Sequence, residues 1–133
     1  MDNYLKPEEI NANCDDCENK ILVKQTEIIS EPSTLIIQLK RFSHEREKRI
    51  STKRQDRMRM TKSIKMATGS TYTVSSIVNH FGDSPQEGHY NILIYDAMSD
   101  KFILVDDQYI NQNVNITSDF ESSSYIFVYT RDI

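Results

Sequence analysis

The sequence lacks the features that would place it in a membrane or outside the cell. No apolar run in its 133 residues approaches the roughly 20 that a membrane-spanning helix needs. The opening decapeptide, MDNYLKPEEI, has no basic-then-apolar pattern of a secretory signal peptide. The only two cysteines, Cys14 and Cys17, form a CxxC pair, which in an intracellular chain favours metal or redox chemistry over a structural disulfide. We therefore expect an intracellular protein, cytoplasmic and/or nuclear, with no membrane partner.

The sequence also lacks a recognisable nucleophile motif. It contains no GxSxG elbow and no CGxCW run of the papain type. Its two thiols are the CxxC pair, a spacing that suits metal ligands. A chemical activity that needs an attacking side chain must therefore draw it from elsewhere.

Charge is distributed unevenly over a chain whose length suits one domain with a real core. The net charge is -4, yet residues 40–65 carry eleven Lys or Arg and three Asp or Glu. This basic stretch holds no aromatic residue after Phe42 that could stack on bases, and the rest of the chain is acidic. Nucleic-acid binding is therefore disfavoured, and a solvated or partly disordered loop is the expectation for the stretch.

The hydrophobic pattern predicts a mainly antiparallel β protein with few helices, in the α+β class. Apolar and β-branched runs bounded by turn residues are typical of strands. They occur at residues 20–29, 35–39, 71–81, 90–95, 101–105 and 124–129.

Shorter patterns predict further local elements. Pro7-Glu8-Glu9 resembles the first turn of a helix, and alternation over residues 57–60 is typical of a half-exposed strand. The run 71–81 would place Tyr72, Val74, Ser76 and Val78 on one face. Residues 82–88 are expected to form a mobile loop, and residues 111–120 to hold a short helix or turn.

The most informative stretch is a hairpin formed by residues 90–95 and 101–105. If Ala97 and Met98 are the centre of its turn, antiparallel pairing places His89 opposite Asp106, within reach of an imidazole–carboxylate hydrogen bond. Such a carboxylate fixes the tautomer and orientation of a catalytic histidine. The same pair could equally be a satisfied histidine that caps the end of a strand.

Cys14 and Cys17 on a tight polar turn can hold one Zn²⁺ from a single loop. They supply half of a site, because structural zinc takes four ligands. Thioredoxin-like redox chemistry is disfavoured, because no strand precedes Cys14.

Taken in order, several segments resemble the ubiquitin-specific proteases, which are papain-like cysteine deubiquitinases. The CxxC pair is similar to the second half of that family's zinc ribbon. The other matching segments are PSTLIIQLKRF at 32–42, the YTVSSIVNHFG strand at 72–82, GHY at 88–90, VDD at 105–107 and SSSYIFVY at 122–129.

The resemblance implies roles for individual residues. His89 would be the general base, Asp106 its orienting acid and Asp107 a secondary acid. Gly88 and Tyr90 would line the channel for the ubiquitin tail, and Cys14 and Cys17 would ligate structural zinc, with no catalytic cofactor. The implied layout is a partial catalytic domain over 1–133: a half zinc knuckle at 14–17, a basic variable loop at 43–68 and a His/Asp palm region at 69–133.

The resemblance also implies that something is missing. The family's Cys box, which carries the nucleophile and the oxyanion-hole amide, has no counterpart in these residues. The chain is therefore expected to be the C-terminal lobe, a fingers remnant plus palm, of an isopeptidase acting on ubiquitin conjugates, and inactive alone. The alternatives are a non-catalytic ubiquitin-binding or scaffold module and a truncated gene product.

Overall fold

The structure is a computed structural model that describes residues 5–13, 15–17, 20–45 and 50–133. The chain divides into two compact units, Met1–Glu31 and Pro32–Ile133. Across the described residues, no helix has the length and apolar character needed to cross a bilayer.

The first unit contains an antiparallel hairpin. Strand β1 (Glu8–Asn11) pairs with β2 (Ile21–Lys24), and Lys24 Nζ lies 2.6 Å from Glu8 Oε1 across the pair. The helical turn predicted for residues 7–9 is therefore wrong, and so is the expectation that no strand precedes Cys14. The strand predicted over 20–29 is only four residues long. Cross-strand pairing outweighs the weak helical signal of a Pro-Glu-Glu sequence.

The second unit is built on a seven-stranded sheet in which every recorded pairing is antiparallel. The elements of this unit are β3 (Thr34–Gln38), β4 (Phe42–Glu45), β5 (Ile50–Lys53), β6 (Ser63–Lys65), β7 (Thr71–Ser84), β8 (Glu87–Asp96), β9 (Lys101–Asp106), β10 (Tyr109–Asn111), α1 (Ser118–Ser123) and β11 (Ser124–Arg131). The strand order in the sheet is β10-β9-β8-β7-β11-β3, and β6 pairs with β7 off this path. This confirms the predicted α+β, mainly antiparallel class.

Strand β7 changes its buried face part-way along. Tyr72 and Val74, which were predicted to share a face, are both buried, but the next buried residue is Ile77 rather than Ser76. The pairing with β11 shifts register between Ser76 and Val74, which marks a β-bulge. The bulge adds a residue to β7, so the side chains beyond it point to the opposite face from the one that strict alternation predicts.

The core lies on one face of the sheet. Eight buried side chains form it: Met66, Tyr72, Val74, Ile77, Leu93, Phe102, Phe127 and Tyr129. Side chains from the connections before β6 and around α1 pack against this cluster, among them Met60, Val114, Ile116 and Phe120. These connections cover the core face, so the sheet has a dry side without a second sheet.

The opposite face carries a continuous line of apolar side chains, which we call the apolar row. The strand registers place five residues side by side across β11, β7, β8, β9 and β10: Ile126, Val78, Ile92, Val105 and Ile110. Ile110 is 61% exposed, and Ile94 on the same face of β8 is 42% exposed. Strand β8 is therefore apolar on both faces but is fully buried on only one of them.

The basic stretch is folded where it is described. Residues 43–68, predicted as a loop, contain the β4–β5 hairpin and β6, whereas residues 57–60 form no strand. Arg41, just before β4, is buried, and its guanidinium donates hydrogen bonds to the carbonyl oxygens of Arg54, Asp56, Glu121 and Ser124. One buried cation thus satisfies backbone acceptors from two separate segments.

Candidate functional site

The β8–β9 hairpin has a different register from the one predicted. Strand β8 ends at Asp96 and β9 begins at Lys101, so the turn has four residues and its centre lies between Met98 and Ser99. The Asp96 carboxylate fixes the turn by accepting hydrogen bonds from the Met98 amide at 3.0 Å and the Ser99 hydroxyl at 2.6 Å. Leu93 therefore faces Leu104, and His89 does not lie directly opposite Asp106.

His89 and Asp106 are nevertheless in contact. The error in the turn centre is one residue, which shifts the pairing by two positions and leaves each side chain on its predicted face. A diagonal neighbour on the same face stays within reach of a long side chain. His89 Nε2 is hydrogen-bonded to Asp106 Oδ1, so the sequence prediction of the pair holds although its register was wrong.

Asn91, two residues after His89 on β8, contacts the same Asp106 carboxylate. Its side-chain Nδ2 donates to Asp106 Oδ2 at 3.3 Å, and its Oδ1 accepts from Asn79 Nδ2 at 3.0 Å. Asn79 faces Asn91 in the β7–β8 register. The Asp106 carboxylate thus uses one oxygen for the imidazole and the other for an amide.

Asp107 completes the acidic side of the site. It follows Asp106 in the two-residue turn before β10 and adopts a left-handed backbone conformation with φ of 50°. Ligand-type atoms of His89, Asp106 and Asp107 all lie within 4.8 Å of one another. The three predicted residues are therefore brought together.

The electrostatics follow from these contacts. The hydrogen bond to Asp106, then the charges of Asp106 and Asp107, raise the pKa of His89 above its ordinary value. The hydrogen bond from His89 lowers the pKa of Asp106, and the hydrogen bond from Asn91 acts in the same direction. With the proton on Nε2 directed at Asp106, the neutral imidazole keeps its lone pair on Nδ1.

Gly88 and Tyr90 flank His89 on β8, and both are exposed. Residues 82–88, predicted as a mobile loop, instead form the tight end of the β7–β8 hairpin, with Pro85 and Gln86 between the strands. A Cβ at Gly88 would overlap the imidazole of His80, and the Tyr90 ring lies 4.7 Å from that imidazole. The glycine is required by close packing of the two strands.

The sequence did not predict three residues around the His89–Asp106 pair, which we call the dyad: Asn79, Asn91 and His80. His80 is 1% exposed and lies between Phe42 and Tyr90, and burial, followed by the charge of Lys53, lowers its pKa. The asparagines could have been noticed as amide side chains within otherwise apolar strands. Asn91 alternates with His89 and Leu93 and therefore lies on the same face of β8. A correct register would have placed Asn79 beside Asn91.

The predicted zinc ligands belong to the first unit. Cys17 is an exposed free thiol in the segment between β1 and β2, whereas Cys14 lies outside the described residues. The donor set fits zinc in kind, but two thiols are half of the four ligands that a structural site takes.

Comparison with known proteins decides the family. The family model described as ubiquitin carboxyl-terminal hydrolase matches residues 6–129. The chain belongs to the ubiquitin carboxyl-terminal hydrolase family. Among curated relatives of this deubiquitinase family, ubiquitin carboxyl-terminal hydrolase 36 of Drosophila willistoni is 34% identical over 134 residues, and that of Drosophila melanogaster is 31% identical over 135 residues.

Each alignment covers 95% of this chain but only 10% and 13% of the two relatives. The chain therefore spans a small part of the curated proteins it matches.

Solved structures agree on the fold. The yeast SAGA DUBm structure containing an Sgf73 mutant matches with a TM-score of 0.83 at 24% identity, covering 99% of this chain and 32% of that chain. The SAGA Ubp8/Sgf11/Sus1/Sgf73 DUB module bound to ubiquitin aldehyde matches with a TM-score of 0.81 at 22% identity, covering 99% and 32%. The fold is thus a part of the larger domain present in those structures.

Proposed function

We propose that this chain carries the histidine–acid half of a cysteine deubiquitinase active site. His89 is the general base, Asp106 its orienting acid and Asp107 a secondary acid. The observation that carries the proposal is the hydrogen bond between His89 Nε2 and Asp106 Oδ1 at the end of β8, in a chain of this family.

The geometry supports a definite proton path. Asp106 accepts a hydrogen bond from the Nε2–H group, and the proton stays on Nε2. The Nδ1 lone pair is then free to take the proton of a cysteine thiol. The thiolate adds to the carbonyl carbon of ubiquitin's terminal glycine. The imidazolium then protonates the departing lysine amine, and water, deprotonated by the same imidazole, cleaves the thioester.

The nucleophile comes from a Cys-bearing lobe outside these 133 residues, in the same polypeptide or in a partner. Cys14 and Cys17 are proposed as zinc ligands rather than nucleophiles. We therefore expect the 133-residue chain alone to have no hydrolase activity.

The apolar row supports docking of such a lobe. It runs across five strands, and four of its residues are only part-buried. Ile110 in the row and Ile94 beside it on β8 are exposed. An apolar surface that is left partly open in this way supports an interface. Replacing Ile94 and Ile110 with Lys should weaken association with the lobe and leave the buried core intact.

The proposed substrate is ubiquitin joined to a lysine, and two features support it. The solved DUB module noted above is bound to ubiquitin aldehyde. The acidic body of this chain suits the basic tail of ubiquitin, which would pass Gly88 and Tyr90. An intracellular location, cytoplasmic and/or nuclear, is proposed with this substrate.

Zinc is proposed as a structural ion of the first unit. Cys14 and Cys17 would supply two thiolates, and two further ligands would have to come from another segment. When bound, the ion would hold the β1–β2 connection together and take no part in hydrolysis.

The test of the function is reconstitution. The chain would be combined with the Cys-box lobe of a Drosophila relative, and hydrolysis of a fluorogenic ubiquitin amide would be measured. We expect turnover that needs both parts and falls by about 10³-fold or more in His89→Ala, by analogy with loss of a triad member. His44→Ala, an exposed histidine on β4, is the matched control and should keep full activity.

Two outcomes would overturn the proposal. Labelling of the chain alone by ubiquitin vinyl sulfone at Cys14 or Cys17 would show that it contains its own nucleophile. Ubiquitin binding without turnover in the reconstituted protein, unchanged by His89→Ala, would instead indicate a non-catalytic binding or scaffold module.

A further inference from the structure

A chain of amide hydrogen bonds leads from the sheet core to the dyad. Asn79 is fully buried and Asn91 is 9% exposed. Asn79 donates to Asn91 Oδ1 at 3.0 Å, Asn91 donates to Asp106 Oδ2 at 3.3 Å, and Asp106 Oδ1 accepts from His89. The carboxylate is therefore held at both oxygens by groups that differ in exposure: Asn91 is buried, whereas half of the His89 side-chain surface is exposed.

The order of the contacts fixes the amide of Asn91. Its oxygen is used by Asn79, so its NH₂ group must face Asp106. A side chain fixed in this way can define the plane of the neighbouring carboxylate, which is otherwise free to rotate about its terminal torsion. The imidazole then finds the second oxygen in a constant place.

Stability alone does not account for these two asparagines. The nearest pair on the same face of the ladder, two residues back along β7, is Ile77–Leu93, which is fully buried and apolar. Asn79 Oδ1 is buried with no hydrogen-bond partner in the part of the chain that the structure describes. An orphaned buried acceptor costs free energy that an apolar pair would avoid.

We propose that Asn91 is a positioning residue for Asp106, and that Asn79 sets the amide of Asn91. The proposal rests on the proposed function only for the statement that the dyad is catalytic. Its structural content is that the Asp106 carboxylate is oriented toward His89 Nε2 by an amide on the neighbouring strand. In the assembled enzyme this orientation keeps the Nδ1 lone pair directed at the thiol.

The orientation of the Asp106 carboxylate toward His89 can be tested through the pKa of His89, without any enzymatic activity. The His89 ring would be titrated by NMR in the 133-residue chain, with signals assigned through His44→Ala and His80→Ala. Asn91→Leu should lower the pKa of His89 by about half a unit or more, toward the value in Asp106→Asn. Asn111→Leu, the same change on β10, should leave it unaltered.

A double variant separates orientation from folding. Asn79→Leu with Asn91→Leu extends the Ile77–Leu93 pattern, so the chain should fold with an undiminished urea midpoint while the pKa of His89 still falls. If Asn91 only competes with His89 for the carboxylate, its removal will leave the pKa unchanged or raise it. Either of those results, or an equal fall in Asn111→Leu, overturns the proposal.

Reconstituted enzyme gives an independent check. Asn91→Leu should lower kcat by about 10-fold to 100-fold with little change in KM, because the reacting groups are misaligned while substrate contacts remain. If the lobe reconstitutes no hydrolase at all, the proposed function fails while the NMR result still decides the role of Asn91. If kcat is unaltered in an active enzyme, the positioning role is refuted.

Discussion

The two ends of the β7–β8 ladder differ in what they bury. At one end, Ile77 faces Leu93 and both are fully buried in the core. At the other end, Asn79 faces Asn91 and Phe81 faces His89, and the buried groups give way to the polar network that ends at Asp106. The same pair of strands therefore holds an apolar end and, beginning two residues further along each strand, a polar end that carries the proposed catalytic pair.

The histidines of this hairpin show the same contrast. His80 and His89 lie on adjacent strands and face opposite sides of the sheet. Burial lowers the pKa of His80, whereas the Asp106 partner raises the pKa of His89. A desolvated histidine stays neutral and packs, while a paired and accessible one can exchange protons.

The apolar end should dominate stability. Leu93→Ala should lower the free energy of unfolding by about 2–5 kcal/mol, because it opens a cavity at a fully buried position. Urea denaturation of the chain measures it. Ile94→Ala, the next residue, is the control and should cost about 1 kcal/mol, because Ile94 is partly exposed. Equal costs at both positions would contradict the assigned faces.

A buried polar residue outside the hairpin sharpens the comparison. Arg41→Lys should cost about 2 kcal/mol, because the ammonium cannot reach all the carbonyl oxygens that the planar guanidinium contacts. Arg54→Lys is the control, since that side chain is exposed, and it should change stability by less than about 0.5 kcal/mol. If Arg41→Lys left the free energy of unfolding unchanged, the carbonyl oxygens would not depend on the guanidinium for their hydrogen bonds.

Gly88 tests how closely β7 and β8 pack at the polar end of the ladder. Gly88→Ala should cost about 1–3 kcal/mol, because the added Cβ overlaps the His80 imidazole. A double-mutant cycle with His80→Ala measures the coupling. The cost of Gly88→Ala should shrink in the His80→Ala background, and an unchanged cost would place the clash elsewhere.

The smallest expected effect is the pH dependence of the His89–Asp106 pair. The raised pKa of His89 stabilises the fold below the unfolded value near 6.5, and this contribution is lost as pH rises through the folded pKa. Because the pKa of Asp106 is lowered in the folded state, the stabilisation by the pair is also lost at acid pH, as pH falls through the folded pKa of Asp106. Asp106→Asn should therefore lower the urea midpoint more at about pH 5.5 than at about pH 9.

Asp107→Asn is the matched variant for this measurement. Asp107 acts on His89 through charge without the hydrogen bond, so its effect should have the same sign and be smaller. An equal destabilisation at both pH values in Asp106→Asn would show that the pair adds no pH-dependent stability.

The comparison also shows how a wrong register can leave a right pair. Placing the turn centre at Ala97–Met98 was wrong by one residue, yet His89 and Asp106 stayed on one face because alternation has a period of two. The bulge at Ser75–Ser76 had the opposite effect: it changed the face of the residues from Ile77 to Phe81, up to the next register shift of β7. A bulge depends on the pairing of β7 with β11, far away in sequence, so no local pattern predicts it.

The sequence by itself determined five of the seven strands of the sheet (β3, β7, β8, β9 and β11, but not β6 or β10), the order of the motifs that mark the family, and the contact between His89 and Asp106. These follow from local alternation and from residue identity. Only the tertiary structure decided the register, the fold of the basic stretch, the burial of His80 and the path from Asn79 through Asn91 to Asp106. Each of these depends on which distant strands pair, and pairing energy is summed over the whole sheet rather than encoded in any one segment.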